Sequence, residues 1–162
     1  MSSATGLAGK LAGIYSGARN ASKIALTAAD LIAGHGLAGD GHAGSHPQRH
    51  VSLFAQEVLQ AIQTEGFHVT PGELSANLFT ENLSLDALTP GTQLRIGSVL
   101  LEIIQPRKPC QSITRIHHRL PKRLYGQCGQ LASVLVGGTI QTGATIEILA
   151  QPESRKQAGH VG

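Results

Sequence analysis

The sequence predicts one β-rich domain, between the all-β and α+β classes, with two or three short helices. Glycine is abundant, at 20 of 162 residues, which indicates many turns. The apolar runs between these turns are mostly too short for helices, and Gly or Pro residues bound them, as is typical of strands. A chain of 162 residues is long enough for one domain with its own core and too short for two full domains.

Two apolar segments in the first part of the chain are predicted as strands, over residues 10–15 and 23–28. The sequence Gly-Ala-Arg-Asn at 17–20 predicts a turn between them. A loop is predicted over 34–44, because five glycines in eleven residues allow unusual φ values.

The first helix is predicted after residues 51–53, where apolar side chains recur at helical spacing. The residues of this stripe are Ala55, Val58, Leu59 and Ile62. Ser52 is the predicted N-cap, and Gly66 is predicted to end the helix. Pro-Gly turn signals at 71–72 and 90–91 lie on either side of a short segment around Leu78.

The clearest strand signal is a hairpin over residues 94–96 and 99–104. Gly97 and Ser98 join its two strands and predict a type II′-like turn, with glycine first. A second helix is predicted further along, with Ser112 as its cap and Pro121 at its end. Its predicted apolar face consists of Ile113, Ile116 and Leu120.

The last apolar segments, 132–136, 139–141 and 145–149, predict a three-stranded meander. Residues from about 151 onward are polar and show no periodicity, which predicts a flexible tail.

Composition narrows the classes of function. A net charge of +3 and a pI near 9.1 favour a small anionic ligand, and only 3% aromatic residues argue against a surface that stacks nucleic-acid bases. Two cysteines give no disulfide framework, which suits a reducing cytoplasm. The sequence contains neither a signal-peptide pattern nor an apolar run of about 18 residues, so we expect no membrane partner.

Cys110 is the leading candidate for chemistry. It follows Pro-Arg-Lys-Pro at 106–109 and precedes the predicted second helix, so nearby cations and the helix start favour its thiolate. Residues 107–123 contain six Lys or Arg and no Asp or Glu, which predicts a site for phosphate or another anion. Cys128 lacks such a neighbourhood and is predicted to be structural, although it would suit a resolving thiol if it lay near Cys110.

A second candidate is the Gly-Asp-Gly-His-Ala-Gly sequence at 39–44. Asp40 could point at a ligand or orient His42 through a ring N–H, and the alternative is a turn in which Asp40 bonds its own backbone. Zinc could use three of four nearby histidines with Asp40, but their spacings match no well-known zinc pattern, so this interpretation is the weaker one. The histidines are His35, His42, His46 and His50. Asn77 is a third candidate, because its amide suits the edge of a heterocycle.

Together these motifs resemble the MOSC family, named after the C-terminal domain of molybdenum cofactor sulfurases. The matching segments are 36–44, 49–53, 71–74 with Asn77-Leu78, 88–97 and Pro106-Arg107-Lys108-Pro109-Cys110. The resemblance covers 10–149 and leaves 1–9 and 150–162 as predicted flexible termini. One departure is Ala76, where the family usually has Glu.

The resemblance implies a strongly bent sheet closing toward a barrel and makes Cys110 the signature cysteine of the family. That cysteine would carry sulfur as a persulfide or ligate molybdenum of a molybdenum–pterin cofactor. Some relatives are molybdenum enzymes that reduce N-hydroxylated compounds. The family also has a general association with pyridoxal phosphate. The site residues implied are Cys110, His42 and Asp40 for chemistry, and Arg107, Lys108, Arg115, Asn77 and Arg49 for the cofactor.

Three hypotheses about function follow. The first is a stand-alone MOSC protein that binds the molybdenum–pterin cofactor or carries sulfur on Cys110. The second is a sulfur-transfer or carbon–sulfur bond-cleaving enzyme, with or without a metal at the histidine loop. The third is a non-catalytic module that delivers cofactor or sulfur to a partner sulfurase or molybdoenzyme. A small anion or a sulfur donor is the expected ligand.

Overall fold

A computed structural model describes residues 8–19 and 21–152. Within these residues the chain forms eleven strands: β1 Ala8–Ser16, β2 Ile24–Leu26, β3 Ala28–Ile32, β4 Gly36–Leu37, β5 Val51–Ala55, β6 Leu78–Glu81, β7 Gln93–Ile96, β8 Val99–Pro106, β9 Gln130–Val136, β10 Gly138–Gln141 and β11 Thr145–Ala150. The helices in the same residues are α1 Gln56–Thr64, α2 Leu120–Leu124, and three 3-10 helices at Pro71–Leu74, Leu85–Ala87 and Gln111–Arg115.

Seven strands close into a β-barrel in the order β11-β7-β8-β9-β5-β6-β1, and the pairing of β1 with β11 completes the ring. The pair β5–β6 is parallel, and the other neighbouring pairs are antiparallel. Strand β2 pairs with the end of β1, and β10, β3 and β4 form a separate sheet. The predicted β-rich fold with a closing sheet is therefore confirmed.

The barrel encloses an aliphatic core because inward positions alternate along its strands. In the hairpin β7–β8 the inward residues are fully buried, namely Leu94, Ile96, Val99, Leu101 and Ile103. A second apolar cluster lies beneath the two helices and includes Phe54 of β5 and Phe79 of β6, whose ring centroids are 5.6 Å apart. This second cluster supports the loops around Cys110.

The hairpin and the end of the first helix follow the sequence prediction closely. Gly97 has a φ of +60° at the β7–β8 turn, whereas Ser98 stays at negative φ, as a turn with glycine first requires. After α1, Gly66 has a φ of +104°, and the N–H groups of Phe67 and Gly66 donate to the carbonyls of Ile62 and Gln63. These bonds form a Schellman motif, which satisfies carbonyls at the helix end.

Ser52 as the N-cap of the first helix was wrong. Ser52 lies within β5, where all five residues are buried, and the N-cap is Ala55. Residues 51–55 form a strand of the barrel wall, so the helix begins only at Gln56, after the first residue of the predicted apolar stripe.

The segments at 23–28 and 112–121 also differ from prediction. The first forms two strands, β2 and β3, separated at Thr27. The predicted second helix is replaced by the 3-10 helix Gln111–Arg115, with Cys110 as its N-cap, and by the separate helix α2. Pro121 lies in the first turn of α2, where a missing N–H costs nothing, instead of ending a helix.

The three strands near the C-terminus lie close to the predicted positions, but they do not form a meander. Strand β10 pairs with β3, and β11 pairs with β7 and β1. Of the predicted flexible termini, residues 1–7 and 153–162 lie outside the described residues, while β1 begins at Ala8 and β11 ends at Ala150. Neither helix within 8–19 and 21–152 has the length and apolar character needed to cross a bilayer.

Candidate functional site

A cavity of about 530 Å³ lies where the segment after β4 faces the end of β8. Among the residues that the structure describes, its lining contains three arginines, three histidines and both cysteines, and no Asp or Glu: His42, His46, His50, Arg49, Arg107, Arg115, Cys110 and Cys128. The structure thus brings Cys110 and His42, which are 68 positions apart in the sequence, to one cavity. The excess of cationic side chains over acidic ones makes this cavity favourable for an anion.

The thiol of Cys110 is exposed and accepts two hydrogen bonds from Ser112. The Ser112 hydroxyl lies 3.1 Å from the sulfur, and the Ser112 backbone N–H lies 3.5 Å from it. These bonds lower the pKa of Cys110, and the charges of Arg107 and Arg115 lower it further, while partial burial opposes them. Cys110 is therefore biased toward the nucleophilic and metal-binding thiolate.

Arg107 is the innermost of the predicted cofactor-binding cations. Its Nη2 donates to the Leu74 carbonyl at 2.6 Å, whereas its buried Nη1 has no hydrogen-bond partner within the described part of the chain. Arg115 donates to the Ser112 carbonyl at 2.9 Å, and Arg49 is exposed at the cavity. Lys108 is exposed and is not among the lining residues.

Asp40 does not line the cavity, because its side chain is only 2% exposed and is enclosed by donors. Its carboxylate accepts from Lys23 Nζ at 2.5 Å, from the Gly17 N–H at 3.2 Å and from the His42 N–H at 3.1 Å. Burial raises the pKa of Asp40, but the bond from Lys23, the backbone bonds and the Lys23 charge together bring it below its ordinary value. The structure gives Asp40 an anchoring position behind the cavity wall.

His42 lies at the cavity, and its side chain is 46% exposed. Its Nδ1 is 3.4 Å from Lys23 Nζ and 3.8 Å from Asp40 Oδ2. The predicted orientation of the ring by Asp40 is thus not present, since 3.8 Å exceeds hydrogen-bond reach and Asp40 bonds the His42 backbone instead. Burial and the charge of Lys23 lower the pKa of His42, against the opposing charge of Asp40, with smaller contributions from Arg19 and Arg107.

Two other histidines of the loop, His46 and His50, bond the backbone through their rings. His50 is buried, and its two ring nitrogens lie 2.9 Å from the Pro47 carbonyl and the Val134 N–H. His46 Nδ1 accepts from the Gln48 and Arg49 N–H groups. His35 is not among the lining residues. Within residues 8–19 and 21–152, no group of three or more His, Cys, Asp and Glu side chains is placed to hold a metal ion.

Asn77 borders the cavity, but most of its amide serves the barrel wall. Its Oδ1 accepts from the Ser52 N–H at 3.2 Å and the Ser52 hydroxyl at 3.4 Å, and its Nδ2 donates to the Tyr15 carbonyl at 3.2 Å. One N–H remains for a ligand. Ala76, at the position where the family that the sequence resembles usually has Glu, is fully buried in the second apolar cluster.

Cys128 contributes a second thiol to the same cavity, from a position only 4% exposed. Burial raises its pKa, and Asp86 and Cys110 raise it further, against the opposing charge of Arg107. The pKa values of the two cysteines are thus shifted in opposite directions: the lowered pKa of Cys110 favours the thiolate, and the raised pKa of Cys128 favours the neutral thiol.

The sequence did not predict the contacts that two residues make at the candidate site. Lys23 was assigned only to a strand, although its side chain is 1% exposed and faces both Asp40 and His42. Ser112 was predicted to cap a helix, but it donates to Cys110. The sequence signal for Lys23 was a single lysine beside an apolar run. Such a residue is usually at the surface.

Comparisons with known proteins agree on one family and one fold. A family model described as MOSC domain matches residues 39–147. The YuaD protein from Bacillus subtilis is 20% identical, with a TM-score of 0.75, over 87% of this chain and 95% of that one. YiiM from Escherichia coli is 24% identical, with a TM-score of 0.72, over 90% and 72%. YiiM from Geobacillus stearothermophilus is 19% identical, with a TM-score of 0.68, over 88% and 75%. No curated protein sequence matches significantly.

Proposed function

This chain belongs to the MOSC domain family, which is associated with the molybdenum cofactor, and we propose that its cavity binds a molybdenum–pterin cofactor with Cys110 as the protein ligand. The observation that carries the proposal is the position of Cys110, an exposed thiol biased toward the thiolate, at a cavity that the described residues line with arginines and with no carboxylate.

The anionic part of such a cofactor fits the cations of the cavity. Arg107 has a buried Nη1 without a partner among the described residues, and an unpaired buried donor of this kind is costly until a ligand accepts from it. Arg49 and Arg115 offer further donors from the rim. Arginine suits phosphate because its planar guanidinium can bind two oxygens at once. A cavity of about 530 Å³ also lies within the range typical of small-molecule sites.

The metal-binding part of the proposal concerns Cys110 and Ser112. The thiolate, and not the thiol, is the metal-binding form of cysteine, and both hydrogen bonds from Ser112 stabilise the thiolate before any ligand arrives. When bound, a molybdenum centre would supply two-electron redox chemistry. The protein residues would bind and orient the group, and His42 at the same cavity can hold or donate a proton.

A second candidate function is sulfur carriage on Cys110, and the exposure of its thiol favours it. The cations around Cys110 would stabilise an anionic persulfide as they do a thiolate. This function requires a donor of sulfane sulfur, such as a persulfide, that can reach the Cys110 thiolate; its S–S bond breaks as the new one forms, the donor leaves as a thiolate, and no pterin is needed. Both candidates use the same residue, so the bound species distinguishes them.

The test is the composition of the purified chain. The full chain, produced in cells supplied with molybdate, is purified without thiol reagents, and its molybdenum content and intact mass are measured. We expect close to one molybdenum per chain, lost in Cys110→Ser and kept in Cys128→Ser. Cys128→Ser is the matched control, because both thiols line the same cavity.

The alternative results separate the candidates. A chain without molybdenum whose mass shows one added sulfur atom, located on Cys110 by peptide mapping, would replace cofactor binding with sulfur carriage. A chain that has neither molybdenum nor added sulfur, or that keeps its molybdenum in Cys110→Ser, would contradict the proposed function.

A further inference from the structure

Lys23 is buried behind the cavity, and its ammonium group has two neighbours of different kinds. Its side chain is 1% exposed, and its Nζ lies 2.5 Å from Asp40 Oδ1 and 3.4 Å from His42 Nδ1. A buried charge is costly unless it is paired, and Asp40 provides that pairing. The contact with His42 is not needed for charge balance, and it joins the buried ion pair to a side chain of the cavity.

The neighbours of His42 Nδ1 determine which ring nitrogen carries the proton. An ammonium group has three donors and no acceptor, so an Nδ1 beside Lys23 is favoured as an acceptor without hydrogen. The nearest carboxylate oxygen, Asp40 Oδ2, is 3.8 Å from Nδ1, too far to accept a proton from it, and already accepts the His42 backbone N–H at 3.1 Å. The neutral ring must then carry its proton on Nε2.

The charges facing the ring also act against an imidazolium. Among the described residues, Lys23, Arg19 and Arg107 repel a positive ring, and Asp40 attracts one. Asp40 is already paired with Lys23, so its attraction is partly cancelled at the ring. Nε2 makes no hydrogen bond to any described residue and is the ring atom left to face a ligand.

We propose that Lys23 is a positioning residue that fixes the tautomer of His42, with Nδ1 as acceptor toward Lys23 and the Nε2 hydrogen available to the cavity. His42 then presents a neutral N–H donor across the cavity that contains Cys110. Such a donor recognises an anionic oxygen or sulfur atom of a ligand. This last step rests on the proposed function, whereas the tautomer does not.

The test measures the tautomer directly, in the ligand-free full chain. The protein is labelled with ¹⁵N-histidine, and long-range ¹H–¹⁵N correlation spectra at pH 7.5 report which ring nitrogen of each histidine is protonated. His42→Gln assigns the signal of His42. We expect a neutral His42 with a protonated Nε2 and an unprotonated Nδ1. A protonated Nδ1 or a doubly protonated ring in the wild-type chain would overturn the proposal.

Variants then test the part played by Lys23. In Lys23→Met the Nδ1 signal should shift toward protonation, and in Lys23→Arg, which keeps the donor, it should return toward the wild-type position. Lys10→Met is the control, because Lys10 is an exposed residue of β1. If Lys23→Met left the Nδ1 signal unchanged, Lys23 would not set the tautomer. If that variant does not fold, the wild-type spectrum still decides the tautomer, and Lys23→Arg must preserve it.

Discussion

The ion pair between Lys23 and Asp40 should be the most sensitive charged contact of the described residues to loss of one partner. Both side chains are almost fully buried, at 1% and 2% exposed, so neither charge can be hydrated in place. We predict that Lys23→Met, which keeps much of the apolar stem, destabilises the protein strongly. The Asp40 carboxylate would keep the N–H groups of Gly17 and His42 but lose the ammonium group of Lys23.

The expected size follows from that burial. Breaking a buried pair by removing one member typically costs about 3–5 kcal/mol, because the other charge stays buried without compensation. A natural domain has a free energy of unfolding of about 5–15 kcal/mol, so one substitution could remove a large part of it. The double variant Lys23→Met/Asp40→Asn should cost less than Lys23→Met, because it leaves no unpaired charge.

Urea unfolding followed by circular dichroism measures these differences, with Lys10→Met as a surface control expected within about 0.5 kcal/mol of wild type. The pKa of Asp40 is lowered in the folded protein, so its contribution is present above the ordinary carboxyl pKa and is lost as pH falls through the folded pKa. The gap between wild type and Lys23→Met should therefore be full at pH 7 and narrow below about pH 4. A loss under about 1 kcal/mol at pH 7 would refute the reasoning from burial.

Three further predictions concern the two thiols and the stability of the fold. Cys110 should be alkylated before Cys128 at mildly acidic pH, because Ser112 and nearby arginines lower the pKa of Cys110 while burial raises the pKa of Cys128. Peptide mapping after brief iodoacetamide treatment measures the order of labelling. Earlier labelling of Cys128 would contradict the prediction. Ser112→Ala should slow the labelling of Cys110. Gly129→Ala should destabilise the fold, since Gly129 has a φ of +90° and an added Cβ would collide with the Leu53 carbonyl. Urea unfolding measures the loss, and an unchanged free energy of unfolding would show that the backbone moves to accommodate the Cβ.

Local signals predicted the fold where the structure depends on local contacts. The hairpin β7–β8 needs only a glycine with positive φ between two apolar runs, and α1 ends at Gly66 through bonds within six residues. The pairing of β10 with β3 joins Thr139 to Asp30, more than one hundred positions away, and no local pattern specifies it. The positions of the last strands were therefore predicted, whereas their predicted pairing as a meander was wrong.

The residues of the candidate site could be predicted where a short motif contains them. Cys110 stands out because cations and prolines surround it in sequence, and His42 because glycines flank it. The identity of the groups that control them was not predictable in this way. Lys23 meets Asp40 across 17 positions, and Ser112 bonds a sulfur that the sequence placed before a helix. The first contact joins two segments that are distant in sequence, and the second depends on the local backbone turn at Cys110, which begins a 3-10 helix.

The distribution of carboxylates makes the cavity favourable for an anionic ligand. Among the described residues, the carboxylates of Asp40, Glu65 and Glu147 pair with Lys23, Arg123 and Arg95, and each of these ion pairs leaves the cavity arginines untouched. Arg49, Arg107 and Arg115 form no ion pair within the same residues. Their charges face a space that contains no acidic side chain. Asp40 is paired with Lys23 behind the cavity wall, so it does not neutralise these arginines, and their charges favour an anionic ligand at the cavity.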